Sequence, residues 1–129
     1  MGVQAMACYQ AALCYALAFH RSGRANNAPI VYSVVPVNPE TGVPGRPVLI
    51  GARFRGDNIT CAGPTECLVG GFTAVGSLGV SAAAVVSPGK PVKIMRYPRV
   101  ESIAALACAT PAACYAVGLG TRGAAVVRV

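Results

Sequence analysis

At 129 residues the chain has room for one domain with one modest core, because folding at this length buries roughly two-thirds of the extended-chain surface. A composition that is 54% hydrophobic and 12% charged, with 15 Gly, 10 Pro and no Trp, excludes a disordered chain and a solvated helical bundle and suits short strands joined by turns. The net charge of +7 rests on Arg21, Arg24, Arg46, Arg53, Arg55, Lys90, Lys93, Arg96, Arg99, Arg122 and Arg128. These are scattered, so a specific nucleic-acid arm is excluded, and weak affinity for acidic polymers or anionic surfaces is the most that charge suggests.

In chain order, the first element is the apolar stretch from Ala11 to Phe19. No basic residue precedes it and Gln4 and Gln10 interrupt the N-terminal segment, so it reads as folded domain and not as a secretory signal. No stretch of the chain reaches the roughly eighteen apolar residues of a membrane span. Taken alone, residues 3–19 (VQAMACYQAALCYALAF) favour an Ala-rich helix. Two later segments overrule that reading: NITCAGPTECLVGGF (58–72) and IAALACATPAACYAVGL (103–119) repeat the pattern of two cysteines with five residues between them. Gly63 and Pro64 in the middle copy are incompatible with a helix interior, so all three copies are expected to be strand, hairpin, strand.

Between the copies, Ile30 to Val35 and Val48 to Phe54 supply two more expected strands to the first unit, and Ala82 to Val86 and Val92 to Tyr97 two more to the second. Cys8 to Cys61 is 53 residues and Cys61 to Cys108 is 47, the spacing of blades of roughly forty to fifty residues, and the surplus falls in the Pro- and Gly-rich segment VNPETGVPGRP. The expected fold is all-β: propeller-like antiparallel four-stranded blades, about two and three-quarter repeats and incomplete alone, in one repeat domain 1–129 with units 1–56, 57–100 and 101–129. A β-trefoil, three-fold and of similar length, is the alternative.

Side chains alternate along a strand with period two. Met6, Ile59 and Leu106 therefore share a face with the first cysteine of each copy. After the second cysteine, Tyr15, Leu17 and Phe19, then Leu68 and Phe72, then Tyr115, Val117 and Leu119 fall on one face. The opposite face carries Ala16 and Ala18, Val69 and Gly71, and Ala116 and Gly118, small enough to let a neighbouring sheet approach closely.

These segments, Ile59-Thr60-Cys61 with Cys67-Leu68-Val69-Gly70-Gly71 and Leu106-Ala107-Cys108 with Cys114-Tyr115-Ala116-Val117-Gly118, resemble the Cys-x5-Cys repeats of secreted bacterial β-propeller-type proteins. The resemblance covers nearly the whole chain and implies a propeller-like fold and a secreted or cell-surface setting, with no shared activity to carry over. The Asp-box of sialidase-like propellers and the Trp-Asp signature of another propeller class are both absent.

Six cysteines allow fifteen connectivities. Two that face each other across a hairpin lie close enough for a disulfide, and the repeated spacing selects Cys8 with Cys14, Cys61 with Cys67 and Cys108 with Cys114. Local pairs of this kind indicate an oxidising compartment. Structural zinc sites space their ligands by roughly two to four residues, and the chain has a single histidine, His20, so no metal is expected.

No catalytic grouping is expected. Glu40, Asp57, Glu66 and Glu101 are spread over turns and segment ends, and His20 has no nucleophile or orienting acid in a recognisable motif. GLGTRG (118–123) lacks a following helix to hold a phosphate and reads as a turn, so no cofactor is expected. Asn58-Ile59-Thr60 matches a glycosylation sequon but runs straight into a strand, and is expected to be unmodified.

The expected function is a non-enzymatic extracellular interaction or self-assembly module. A carbohydrate-binding lectin formed by an oligomeric propeller is the alternative, with a glycan or acidic polymer as ligand; without Trp, only Tyr9, Tyr15, Tyr32, Tyr97 and Tyr115 could stack on a sugar. The third copy stops where a third strand should end. Its last segment, Gly123, Ala124, Ala125, Val126, Val127, Arg128 and Val129, is the expected assembly edge, pairing with residues 2–8 of another chain in a closed homo-oligomer or a filament.

Overall fold

The structure, a computed structural model, describes residues 2–11, 13–51, 53–75 and 78–129. Ala12, in the first hairpin, and Ala52, in the apolar run 48–54, lie outside the described residues.

The chain forms three separate antiparallel sheets in which each strand pairs with its neighbour in sequence. The first sheet holds β1 (Gly2–Tyr9), β2 (Leu13–Arg21), β3 (Ile30–Val37) and β4 (Val48–Gly51). The second holds β5 (Phe54–Gly63), β6 (Glu66–Val75), β7 (Leu78–Val86) and β8 (Lys93–Arg96). The third holds only β9 (Val100–Thr110), β10 (Ala113–Gly120) and β11 (Gly123–Arg128). Sheets that share no strand are not a trefoil barrel. Residues 3–9 and 13–19, helical by propensity, are paired strands, in which alternation gathers Tyr15, Leu17 and Phe19 on the one face that packs into the core.

The apolar run 48–54 is not one strand. Gly51 takes a φ of 131°, a conformation open to glycine and hardly to any other residue, and β4 ends there. Phe54 opens β5 and is buried as the first residue of the second sheet.

The sheets stack face to face, β1 against β5 and β5 against β9, in an open series that does not close into a propeller. Between the first two lies the main core, where Tyr15, Leu17, Val34 and Ile50 meet Phe54, Cys67, Val69, Ala82 and Ala84. Ala62, Leu68 and Val85 meet Leu106, Cys108, Cys114 and Val129 between the second and third. Among the described residues, only the second sheet is covered on both sides. Cys67 and Leu68, successive residues pointing opposite ways, are consequently 1% and 2% exposed.

Close approach also explains two glycines. A Cβ on Gly71 would run into the Arg55 carbonyl, and one on Gly118 into the Ser102 carbonyl. Both stand four residues after the second cysteine of their copy, beside a register shift where the paired strand bulges inward.

Candidate functional site

The hairpins come first, because they set the register of everything else. Cys8 lies opposite Cys14, Cys61 opposite Cys67 and Cys108 opposite Cys114, with Cα separations of 4.0, 3.9 and 4.0 Å, and all three pairs are bonded. No described cysteine is free. Three bridges of this kind place the chain in an oxidising compartment.

With register fixed, every sheet has a leading face and a trailing face. In the first sheet Tyr15, Leu17 and Phe19 of β2 point forward, beside Pro36, Val34 and Tyr32 of β3, and all but Pro36 pack against the second sheet. In the second sheet Leu68 points forward with Val85 and packs against the third, while Cys67 and Val69 point back. In the third, Cys114 and Ala116 point back with Cys108 and Leu106. The same position of the repeat thus faces the same way in all three sheets; the small-residue face receives a neighbouring sheet in the second copy (Val69) and the third (Ala116), whereas Ala16 and Ala18 of the first meet no other sheet among the described residues.

This leaves two faces uncovered. On the third sheet the forward positions are Tyr115, Val117 and Leu119, with Val126 of β11 beside Val117. Tyr15 and Leu17 are 5% and 0% exposed, whereas their counterparts Tyr115 and Val117 are 38% and 39%. On the trailing face of the first sheet Val3 and Met6 are 62% and 55% exposed, whereas Ile59 and Leu106, which occupy Met6's position in the other copies, pack into the two inner seams. The trailing positions of β1 to β4, including Ala16, Ala18, Val35, Val37 and Leu49, hold no Asp, Glu, Lys or Arg among the described residues. An apolar surface of that extent is what a soluble monomer ordinarily avoids.

The segment 123–129, expected as an assembly edge, lies at the end of the third sheet. Residues Gly123 to Arg128 form β11, which has β10 on one side and no strand on the other among the described residues. The Val129 N–H donates inward to the Cys114 carbonyl at 3.0 Å, so by alternation the N–H groups of Val126 and Arg128 point to the open side. Residues 2–8 lie in β1, at the edge of its sheet that packs on β5, whereas β11 is the edge of its sheet farthest from β9.

The remaining polar residues do not converge. Among the described residues no three of His, Cys, Asp and Glu gather closely enough to hold a metal ion. GLGTRG forms the β10–β11 hairpin, with Gly123 at a φ of 115°. Asn58, the sequon residue, is partly buried, and its Nδ2 donates to the Ile103 carbonyl at 3.3 Å, tying the second sheet to the third. Tyr97, after β8, makes a similar tie by donating to the Arg128 carbonyl at 3.4 Å, and burial pushes its phenol above the ordinary tyrosine value. Sequence reasoning missed both ties, since nothing in a sequon or a lone tyrosine signals a neighbour in another sheet.

Compared with models of protein families, with curated proteins and with solved structures, the chain matches none.

Proposed function

We propose that the chain is a non-enzymatic extracellular interaction and self-assembly module, built from disulfide-stapled β-repeats and completed by contact with another polypeptide. The observation that carries this reading is the exposure of Tyr115, Val117, Leu119 and Val126 at positions whose counterparts in the first sheet form its core. The Cys-x5-Cys resemblance supports a secreted, propeller-like setting. The open side of β11 supports strand addition, in which main-chain hydrogen bonds supply affinity and alternate side-chain pockets supply selectivity.

Sedimentation velocity across a micromolar range tests it. The full chain is expected to sediment as an oligomer, and Arg128→Pro, which removes an outward-pointing N–H, to weaken any association made through the β11 edge. A compact monomer at every concentration, for the full chain and the variant alike, would overturn the reading.

A further inference from the structure

The two uncovered faces present the repeat positions that meet at both seams inside the molecule, filled at both ends by valine, a side chain between glycine and the branched partners of the inner seams in size. Three positions of the repeat show this. Leu17, Gly70 and Val117 each stand three residues after the second cysteine of their copy; Val3, Gly56 and Ile103 each stand five before the first. At the first seam Leu17 lies on Gly56, whose Cβ, if it had one, would sit 2.9 Å from the leucine Cδ2. At the second seam Gly70 lies on Ile103, with 3.0 Å from the equivalent point to the isoleucine Cγ2. Both seams therefore bring the same two repeat positions together, each time a branched side chain against a glycine. The two remaining members of the series, Val117 and Val3, are the ones left exposed at opposite ends of the stack.

A polar contact follows the same rule. The Tyr15 hydroxyl donates to the Pro64 carbonyl in the disulfide hairpin of the next sheet. Tyr115 occupies the tyrosine's position in the third copy, and Ala11, three residues after Cys8, occupies the proline's in the first. Charge does not oppose the contact, since the strand positions of the trailing face hold no Asp, Glu, Lys or Arg among the described residues and the leading face of the third sheet carries one charge of each sign: Arg128, whose guanidinium donates to its own Ala112 carbonyl at 3.2 Å, and the exposed Glu101 of β9 at the bulge opposite Leu119.

We propose that the leading face of the third sheet seats on the trailing face of the first sheet of a second copy, and the second copy's on the first, closing two chains into a ring of six sheets. This rests on the association reading above and names its partner and its surface: Val117 on Val3, and the Tyr115 hydroxyl donating to the Ala11 carbonyl. The count favours two chains. Propellers close with about four to eight blades, so one chain with its three sheets is too short and three chains are too many.

The test uses Val117→Lys and Val3→Glu, substitutions at positions exposed in the single chain, with thermal melts to verify that each variant folds. Sedimentation is expected to show the unsubstituted chain as a dimer and each variant alone weakened by about a hundredfold or more, because each buries a lone charge at both seams. An equimolar mixture of the two variants is expected to regain the dimer, since it creates one Lys–Glu seam and one Val–Val seam. A dimer that persists in both single variants, or a mixture that fails to recover, would overturn the face contact while leaving association standing. Loss of the dimer in Arg128→Pro alone would assign association to the β11 edge instead. A monomeric unsubstituted chain would end both readings, and species that lengthen with concentration would overturn the closed ring.

Discussion

The Tyr15 hydroxyl donates to the Pro64 carbonyl, 49 residues away, and so fastens β2 of the first sheet to the disulfide hairpin of the second. The ring beneath that hydroxyl is core, packed with Leu17 and Val34. Tyr15→Phe keeps the ring and removes the donor, and is expected to cost about 1 kcal/mol, the net worth of one partly buried hydrogen bond. Urea unfolding measures it: the midpoint falls and the slope stays constant. An unchanged midpoint would mean that water replaces the phenol at Pro64 without loss.

The three bridges should not be equal. Each closes a short loop and contributes roughly 2 kcal/mol through the unfolded chain. Cys61 and Cys67 also pack in the core between the first and second sheets, whereas Cys8 lies on an uncovered face. Replacing Cys61 and Cys67 together by Ala is therefore expected to lower the melting temperature further than replacing Cys8 and Cys14. Full reduction is expected to lower it by tens of degrees. Peptide mapping without reduction must recover the three local pairs, and a bridge between copies would refute the hairpin register.

Gly71 and Gly118 face strand bulges too near for a Cβ. Gly71→Ala and Gly118→Ala are each expected to cost about 1–3 kcal/mol by forcing the paired backbone aside. Ala18 occupies the same place in the first sheet, opposite Val3, and Ala18→Gly serves as the contrast, with a cost of about 1 kcal/mol or less. Equal effects at all three positions in thermal melts would remove the steric explanation.

Tyr97 provides a pH signature. Burial favours its neutral phenol, so its folded value lies above the unfolded one of about 10. The contribution of this group to stability is complete below the unfolded value and is lost as pH rises through the folded one, because the unfolded chain gives up its proton first. A phenolate absorbance titration is expected to contain a late component, above the ordinary tyrosine range, that Tyr97→Phe lacks. If Tyr97→Phe leaves the titration curve unchanged in shape, the phenol is not held by burial.

Much of this architecture was legible in the cysteine spacing. Period two from Cys8, Cys61 and Cys108 placed Met6, Ile59 and Leu106 on one face, and alternation after the second cysteines put Tyr15, Leu17 and Phe19 together on another, as the register shows. The run Val48 to Phe54 misled because hydropathy is blind to the φ of Gly51: Ile50 and Phe54 are both apolar and both buried, yet belong to different sheets. Tyr15 and Tyr115 have the same local sequence pattern, and only the presence or absence of a following sheet makes one buried and the other exposed. Burial there is a property of place in the stack, which no residue encodes by itself. Asn58 shows the converse, a side chain that matches a modification motif while its amide is held by Ile103.

Each bridge joins cysteines only six positions apart, and none crosses from one sheet to another. A gene segment encoding one unit therefore carries its own covalent clasp and can be duplicated or deleted without stranding a thiol elsewhere. The side chains that meet at a seam do not travel so freely: Leu17 is fitted to Gly56 and Gly70 to Ile103, so a unit moved to a new neighbour keeps its clasp and must refit that one pair.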